Sequence, residues 1–270
     1  MSTVQSFGTA NPTKSSVERF AITLDDAARY ARAIPQLSAA GGESLNIEDA
    51  YEIQRLAMCH RLKRGSHRVG MKMGFTSRAK MVQMGVHDMI WGRLSSDMVV
   101  EDGGSLSLAV YVHPRVEPEI AFLMKKELVG NVTPLQALAA VEAIAPAMEI
   151  IDSRYDNFKF SLTDVVADNA SSSGFVTGPW HRPDIDFSNL GLVMSFNGQP
   201  RQIGSTAAIL GHPLRSLVAA ARFAMHAQEP LKAGWVVMAG GATAAEALTA
   251  GTYVEMEMQS LGRVGFSVTP

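Results

Sequence analysis

Two carboxylates, Glu117 and Glu119, stand two residues apart in the run Arg115-Val116-Glu117-Pro118-Glu119-Ile120. On a strand that spacing points both side chains to one face. Like charges this close repel, and apolar flanks deepen the repulsion by lowering the local dielectric. A hard cation removes it, because Mg²⁺ and Mn²⁺ take oxygen ligands. Glu149, the one acid in Ala147-Met148-Glu149-Ile150-Ile151, is a third candidate. Three carboxylates inside apolar segments have the makings of a divalent-metal site. The competing reading is a half-buried strand with a solvated acidic side, and the chain holds a control for it. Glu255 and Glu257 have the same spacing, but Val254, Met256 and Met258 alternate cleanly with them, which reads as acids in water. Pro118 sets the first pair apart, since proline in a strand predicts an edge or a bulge.

Lys72 sits in Gly70-Met71-Lys72-Met73-Gly74-Phe75-Thr76, between methionines and fenced by glycines. Desolvation there favours proton transfer near neutral pH; the alternative is a lysine snorkelling to solvent. Asp168-Asn169-Ala170-Ser171-Ser172-Ser173-Gly174 is a polar loop able to offer N–H and O–H groups to a carboxylate, or a plain turn. Gly240-Gly241 follows an apolar run and lets backbone approach a ligand closely, or makes a tight turn. No nucleotide-binding glycine motif and no G-x-S-x-G occur. The seven histidines lack metal-ligand spacing, and His113 reads as structural.

These groups need elements to hold them. Asp25 to Ile34 reads as a short helix stopped by Pro35, followed by a loop at Ala39-Ala40-Gly41-Gly42. Asn46 caps a stronger helix that Gly65 ends. The spans 69–75, 116–124, 148–151, 174–178, 190–196, 235–239, 252–258 and 264–268 read as strands, with a hairpin turn at Asn197-Gly198. A capping box at Thr133-Pro134-Leu135-Gln136 leads into a helix over Ala137 to Ile144, and Leu214 to Gln228 is another helix. Many strands with few, irregularly placed helices predict an α+β fold, a mixed β-roll or barrel. Residues 1–68 form its helical N-terminal part with a loose tail to Ser16, and residues 69–270 its β-rich catalytic domain.

At 270 residues and 47% hydrophobic the chain can build a real core. Its net charge of −2 argues against a nucleic-acid partner. Cys59, the only cysteine, excludes a disulfide framework and reads as a structural thiol in a reducing compartment. With no spanning stretch and no secretory signal, the expectation is a cytoplasmic protein without a membrane partner.

The runs Lys72-Met73-Gly74-Phe75-Thr76-Ser77, Pro114 to Phe122, Met148 to Arg154 and Ala167 to Ser171 resemble the hydratase/decarboxylase family of the fumarylacetoacetate-hydrolase-like superfold. The likeness runs from about Glu48 to the C-terminus. Its members hydrate 2-hydroxypenta-2,4-dienoate or decarboxylate 2-oxohex-3-enedioate (4-oxalocrotonate) in aromatic meta-cleavage catabolism. The resemblance implies Mg²⁺ or Mn²⁺ on Glu117, Glu119 and Glu149, and a catalytic Lys72. It also implies a 2-oxo diacid substrate bound by Thr76, Ser77, Arg78, Asp168, Asn169, Ser171, Gly240 and Gly241, with Arg154 a further candidate. The implied assemblies are a homo-oligomer and a complex with the pathway hydratase.

The branch turns on Ile90. The family's hydratases carry an Asp, then an aromatic and Gly, after the lysine segment; here the run is Asp88-Met89-Ile90-Trp91-Gly92. An isoleucine cannot prepare water, whereas decarboxylation needs none. The expected activity is therefore that of a carboxy-lyase. A hydratase, an acylpyruvate-type C–C hydrolase and a non-catalytic scaffold are the competing readings.

Overall fold

Thr13 and Asn46 start the two helices that precede the first strand. The computed structural model describes residues 13–37, 45–77, 81–82 and 88–270. Helix α1 (Lys14–Arg29) is capped by the Thr13 side chain, which accepts from Ser16 N, and buries Val17, Phe20, Ala21, Leu24 and Ala27. The helix expected over Asp25 to Ile34 therefore begins earlier and ends at Arg29. Polar residues between the buried ones hid its apolar stripe, and Ala31 leaves the helical region with φ 47°. The loose-tail reading fails for Lys14 to Ser16, which are helical; the rest of that call, before Thr13, and the loop at 39–42 lie outside the described residues. Helix α2 (Ile47–Lys63) starts as expected, with Asn46 Oδ1 accepting from Asp49 N at 2.8 Å.

The strands are β1 (Arg68–Gly74), β2 (Ile90–Ser95), β3 (Ser105–Ser107), β4 (Arg115–Met124), β5 (Val141–Ile151) and β6 (Ser172–Thr177). They continue with β7 (Gly191–Phe196), β8 (Gln199–Ser205), β9 (Val236–Met238), β10 (Glu246–Ala247), β11 (Tyr253–Met258) and β12 (Gly262–Thr269). Helices α3 (Pro134–Leu138), α4 (Leu162–Ala167) and α5 (Leu214–His226) lie between them. The capping box at Thr133 forms, but α3 stops at Leu138 and Val141 to Ile144 belong to β5. Val141 and Ile144 gain more from burial in the β4 ladder than from extending a helix. β2 was not foreseen as a strand.

One mixed sheet has the order β2-β1-β9-β4-β5-β6, with β10 added to β4; a second has the order β3-β12-β11-β7-β8. The α+β expectation holds. The main core lies between the sheets and α5, where Met71, Phe122, Met148, Met194, Leu217 and Phe266 meet. The other face of the first sheet lies under α2: Ala121, Ala147 and Met238 pack there with Met58. The two N-terminal helices share a further core with Ile90, Tyr155 and Val165.

Pro118 does not break the β4–β5 register, which runs unbroken through Pro118↔Met148. Its missing N–H falls instead on the opposite side of β4, in the gap between β9 and β10, where Pro118 O accepts from Ala242 N at 2.9 Å. The edge strand β2 is capped by side chains. Tyr51 Oη accepts from Trp91 N, Gln54 donates to Trp91 O, and the Asn169 amide both accepts from Arg93 N and donates to Arg93 O. That clamp needs Gly92, whose added Cβ would lie 2.4 Å from the Asn169 carbonyl oxygen. Gly92→Ala should cost about 1–3 kcal/mol through overpacking. The expected reading is a melting temperature lowered by several degrees; an unchanged one would show that the edge is not clamped.

Candidate metal centre

Glu117 and Glu149 are direct cross-strand partners, and Glu119 lies opposite Ala147 on the same face. One carboxylate oxygen from each of Glu117, Glu119 and Glu149 lies within 4.8 Å of the others, and all three residues are buried. Lys72 Nζ stands 3.0 Å from Glu149 Oε2, a buried ion pair. In sheet order β9 and β4 separate β1 from β5, so this contact exists only because the sheet curls strongly. The solvated control behaves as expected, since Glu257 is exposed and pairs with Arg263 at 2.9 Å.

The electrostatics are unbalanced. Burial, and then the Glu149 charge, push the Glu119 carboxyl well above its ordinary value. Burial also raises Glu149, against the lowering effect of Lys72. Each like-charged pair at this separation costs about 3 kcal/mol at an effective dielectric near 20. Glu119 Oε2 accepts from Gly240 N at 2.7 Å, yet among the described residues Glu119 Oε1 and Glu149 Oε1 are buried with no hydrogen-bond donor. Orphaned carboxylate oxygens converging from two strands fit a hard divalent cation, which takes oxygen ligands and cancels the surplus charge.

Gly240 has φ +103°, and a Cβ there would lie 2.1 Å from Thr76 Oγ1, so Thr76, Gly240 and Glu119 are packed together. Gly241 is buried beside them and Ser77 is half-buried, its carbonyl accepting from Met81 N. Arg78 lies outside the described residues. Two other predicted binding residues are taken up within the protein. Asp168 is held in a buried ion pair by Arg154, and the Asn169 amide caps β2. Asn169, Ala170 and Ser171 form three successive left-handed residues, φ 53°, 51° and 61°, a strained turn of the kind found at functional sites. Within it Ser171 Oγ is buried without a hydrogen-bond partner among the described residues. Ser172, which sequence reasoning did not single out, places its hydroxyl beside Glu149. A bulge between the pairs Ile150↔Gly174 and Ile151↔Ser172 breaks the period of two, so spacing could not assign its face. Ile90 is buried at the head of β2 and lies over Gly74, two residues from Lys72.

The curled sheet and its acidic triad define the class. The chain belongs to the fumarylacetoacetate (FAA) hydrolase C-terminal family, which it matches over residues 71–269. It is 62% identical over 253 residues to a 4-oxalocrotonate decarboxylase of Pseudomonas sp, covering 94% of this chain and 98% of that one. It is 35% identical to a 2-hydroxyhexa-2,4-dienoate hydratase of Comamonas testosteroni, covering 95% and 98%. The 4-oxalocrotonate decarboxylase from Pseudomonas putida G7, solved in complex with magnesium and adipate, superposes with a TM-score of 0.92. That pair is 36% identical and covers 96% of this chain and all of the other.

Proposed function

We propose that the protein is a metal-dependent carboxy-lyase converting 2-oxohex-3-enedioate to 2-hydroxypenta-2,4-dienoate and CO₂ in meta-cleavage catabolism. The observation that carries this is the buried Glu117, Glu119 and Glu149 triad with Lys72 against it, in a chain 62% identical to a 4-oxalocrotonate decarboxylase. The triad would hold Mg²⁺ or Mn²⁺, which when bound supplies Lewis acidity to the C1 carboxylate and C2 keto oxygen.

In the reaction the C5–C6 bond breaks. Its electron pair forms C4=C5, the C3=C4 pair shifts to C2=C3, and the carbonyl pair moves onto the C2 oxygen. That oxygen then needs one proton. Lys72, buried on the site face with Nζ against Glu149, is assigned its delivery. Thr76, Ser77, Gly240 and Gly241 are assigned to positioning the carboxylate end, and Ser171 to donating through its unpartnered hydroxyl. Ile90 keeps the Lys72 side dry, which suits loss of CO₂ and disfavours hydration. Arg78, Asp168 and Asn169 are kept as binding candidates through the family resemblance, the last two by holding the turn that carries Ser171.

The test incubates the protein with 2-oxohex-3-enedioate and Mg²⁺ and follows CO₂ and dienol absorbance together. Both should appear, and 2-hydroxypenta-2,4-dienoate offered alone should stay unhydrated. Efficient hydration of that dienoate would make the protein a hydratase. Ile90→Asp should lower decarboxylation by about 10-fold or more, because it wets an apolar pocket with a charge. No helix among the described residues is long and apolar enough to cross a membrane. The cytoplasm as its compartment, a homo-oligomeric state and association with the pathway hydratase complete the reading.

A further inference from the structure

A cleft of about 300 Å³ opens between α1, α2 and the segments that follow β2, precede β4 and follow β5, and none of Glu117, Glu119, Glu149 and Lys72 lines it. Its charged lining sets Arg29, Arg61, Arg64 and Arg154 against Asp25, Asp97 and Asp152. The acids are already matched. Asp25 accepts two hydrogen bonds from Arg64, at 2.6 and 2.7 Å. Asp97 accepts from Arg61 Nε at 2.7 Å. Asp152 accepts from the backbone N–H groups of Val112 and His113.

The donors are not matched to the same degree. Arg61 engages Asp97 through Nε, which leaves its two terminal nitrogens for another acceptor. Arg29, at the rim, stacks over Tyr30 and has no carboxylate bound to it among the described residues. The Tyr111 hydroxyl has no hydrogen-bond partner among them either. Burial pushes its pKa up to about 12, so it stays a donor at neutral pH. A cavity whose acceptors are filled and whose N–H and O–H donors are open selects an oxyanion, which a guanidinium binds with two parallel hydrogen bonds.

We propose that this cleft binds a small oxyanion, a phosphate or a carboxylate, through Arg61, Arg29 and the Tyr111 hydroxyl. At its inner end Arg154 donates to Ser173 Oγ and grips Asp168, the residue before the left-handed turn. A separate space of about 40 Å³ shares Arg154 in its lining and reaches Asp168, Asn169 and Ser172. The ligand therefore rests against the segment that supports the triad without touching the triad.

Calorimetric titration of the EDTA-treated chain tests this, with inorganic phosphate in one arm and succinate in the other. Metal-free protein makes the result independent of the proposed reaction. Saturable binding is expected for at least one probe, with Kd at or below about 1 mM, and the tighter probe identifies the source. Arg61→Gln should weaken it about tenfold or more, the loss of a charge-assisted pair. Arg29→Gln, at an exposed position whose change does not threaten folding, should weaken it severalfold. Arg263→Gln, on the second sheet, should leave it unchanged. No saturable heat with either probe up to about 10 mM would overturn the proposal. So would equal weakening by Arg263→Gln, the mark of diffuse charge attraction.

Discussion

EDTA treatment is expected to abolish CO₂ release and Mg²⁺ or Mn²⁺ to restore it, while Glu119→Gln should lose both binding and turnover. The Glu119 carboxylate has one oxygen on Gly240 N and the other without a donor among the described residues, so the second is the natural ligand. An amide offers a neutral, weaker donor to a hard cation. Metal affinity should fall by at least about 100-fold, beyond the cost of disturbing an outer partner. Turnover should fall by roughly 1,000-fold, as when a main electrostatic stabiliser is removed. Glu255→Gln should change neither. Full activity in metal-free protein would remove the centre. The same charges give a second reading. Burial raises the Glu119 and Glu149 carboxyls above their ordinary 4.5, so the metal-free folded state binds more protons than the unfolded one. Its stability then falls as pH rises from about 4.5 through the raised values. A bound cation relieves that loss, so the rise in Tm on adding Mg²⁺ should grow with pH. A metal-induced shift that shrinks as pH rises would contradict this account.

The triad was legible because its signal is local: acids in apolar runs, one pair at period two. Its contrast with Glu255 and Glu257 was legible for the same reason, since clean alternation marks a solvated face. What makes the site work is not local. The Lys72–Glu149 contact depends on a curl across four strands, and no spacing encodes that. Here the family resemblance, not the pattern, linked Lys72 to the carboxylates. The Asp168 loop shows the opposite limit. Its polar composition fits ligand binding, yet the structure uses Asp168 to neutralise Arg154 and Asn169 to cap an edge strand. Composition says that donors are present; only tertiary placement says where they point. β2 was missed because its role is defined by its neighbour, β1 on one side and three capping side chains on the other. The α1 stripe was missed because serine and charged residues interrupt it.

Lys72→Met separates proton handling from metal binding, because methionine keeps the apolar stem and loses the ammonium. In the metal-free protein the change leaves Glu149 buried at full depth with two carboxylates nearby and no cation. Removing one partner of a buried ion pair costs about 3–5 kcal/mol, so the metal-free variant should melt well below the wild type. Mg²⁺ should recover most of that difference, since the cation takes over the neutralisation of Glu149. Metal affinity should hold or rise, because a positive charge 3.0 Å from a candidate ligand opposes a second cation. Turnover of the metal-loaded variant should nevertheless fall by roughly 10²- to 10⁴-fold, the usual worth of a positioned proton donor. Metal affinity is thereby separated from metal-free stability and from turnover, which a merely structural lysine would not produce. Loss of metal affinity in parallel with activity would make Lys72 a support for the triad, and unchanged turnover at saturating Mg²⁺ would remove it from the reaction.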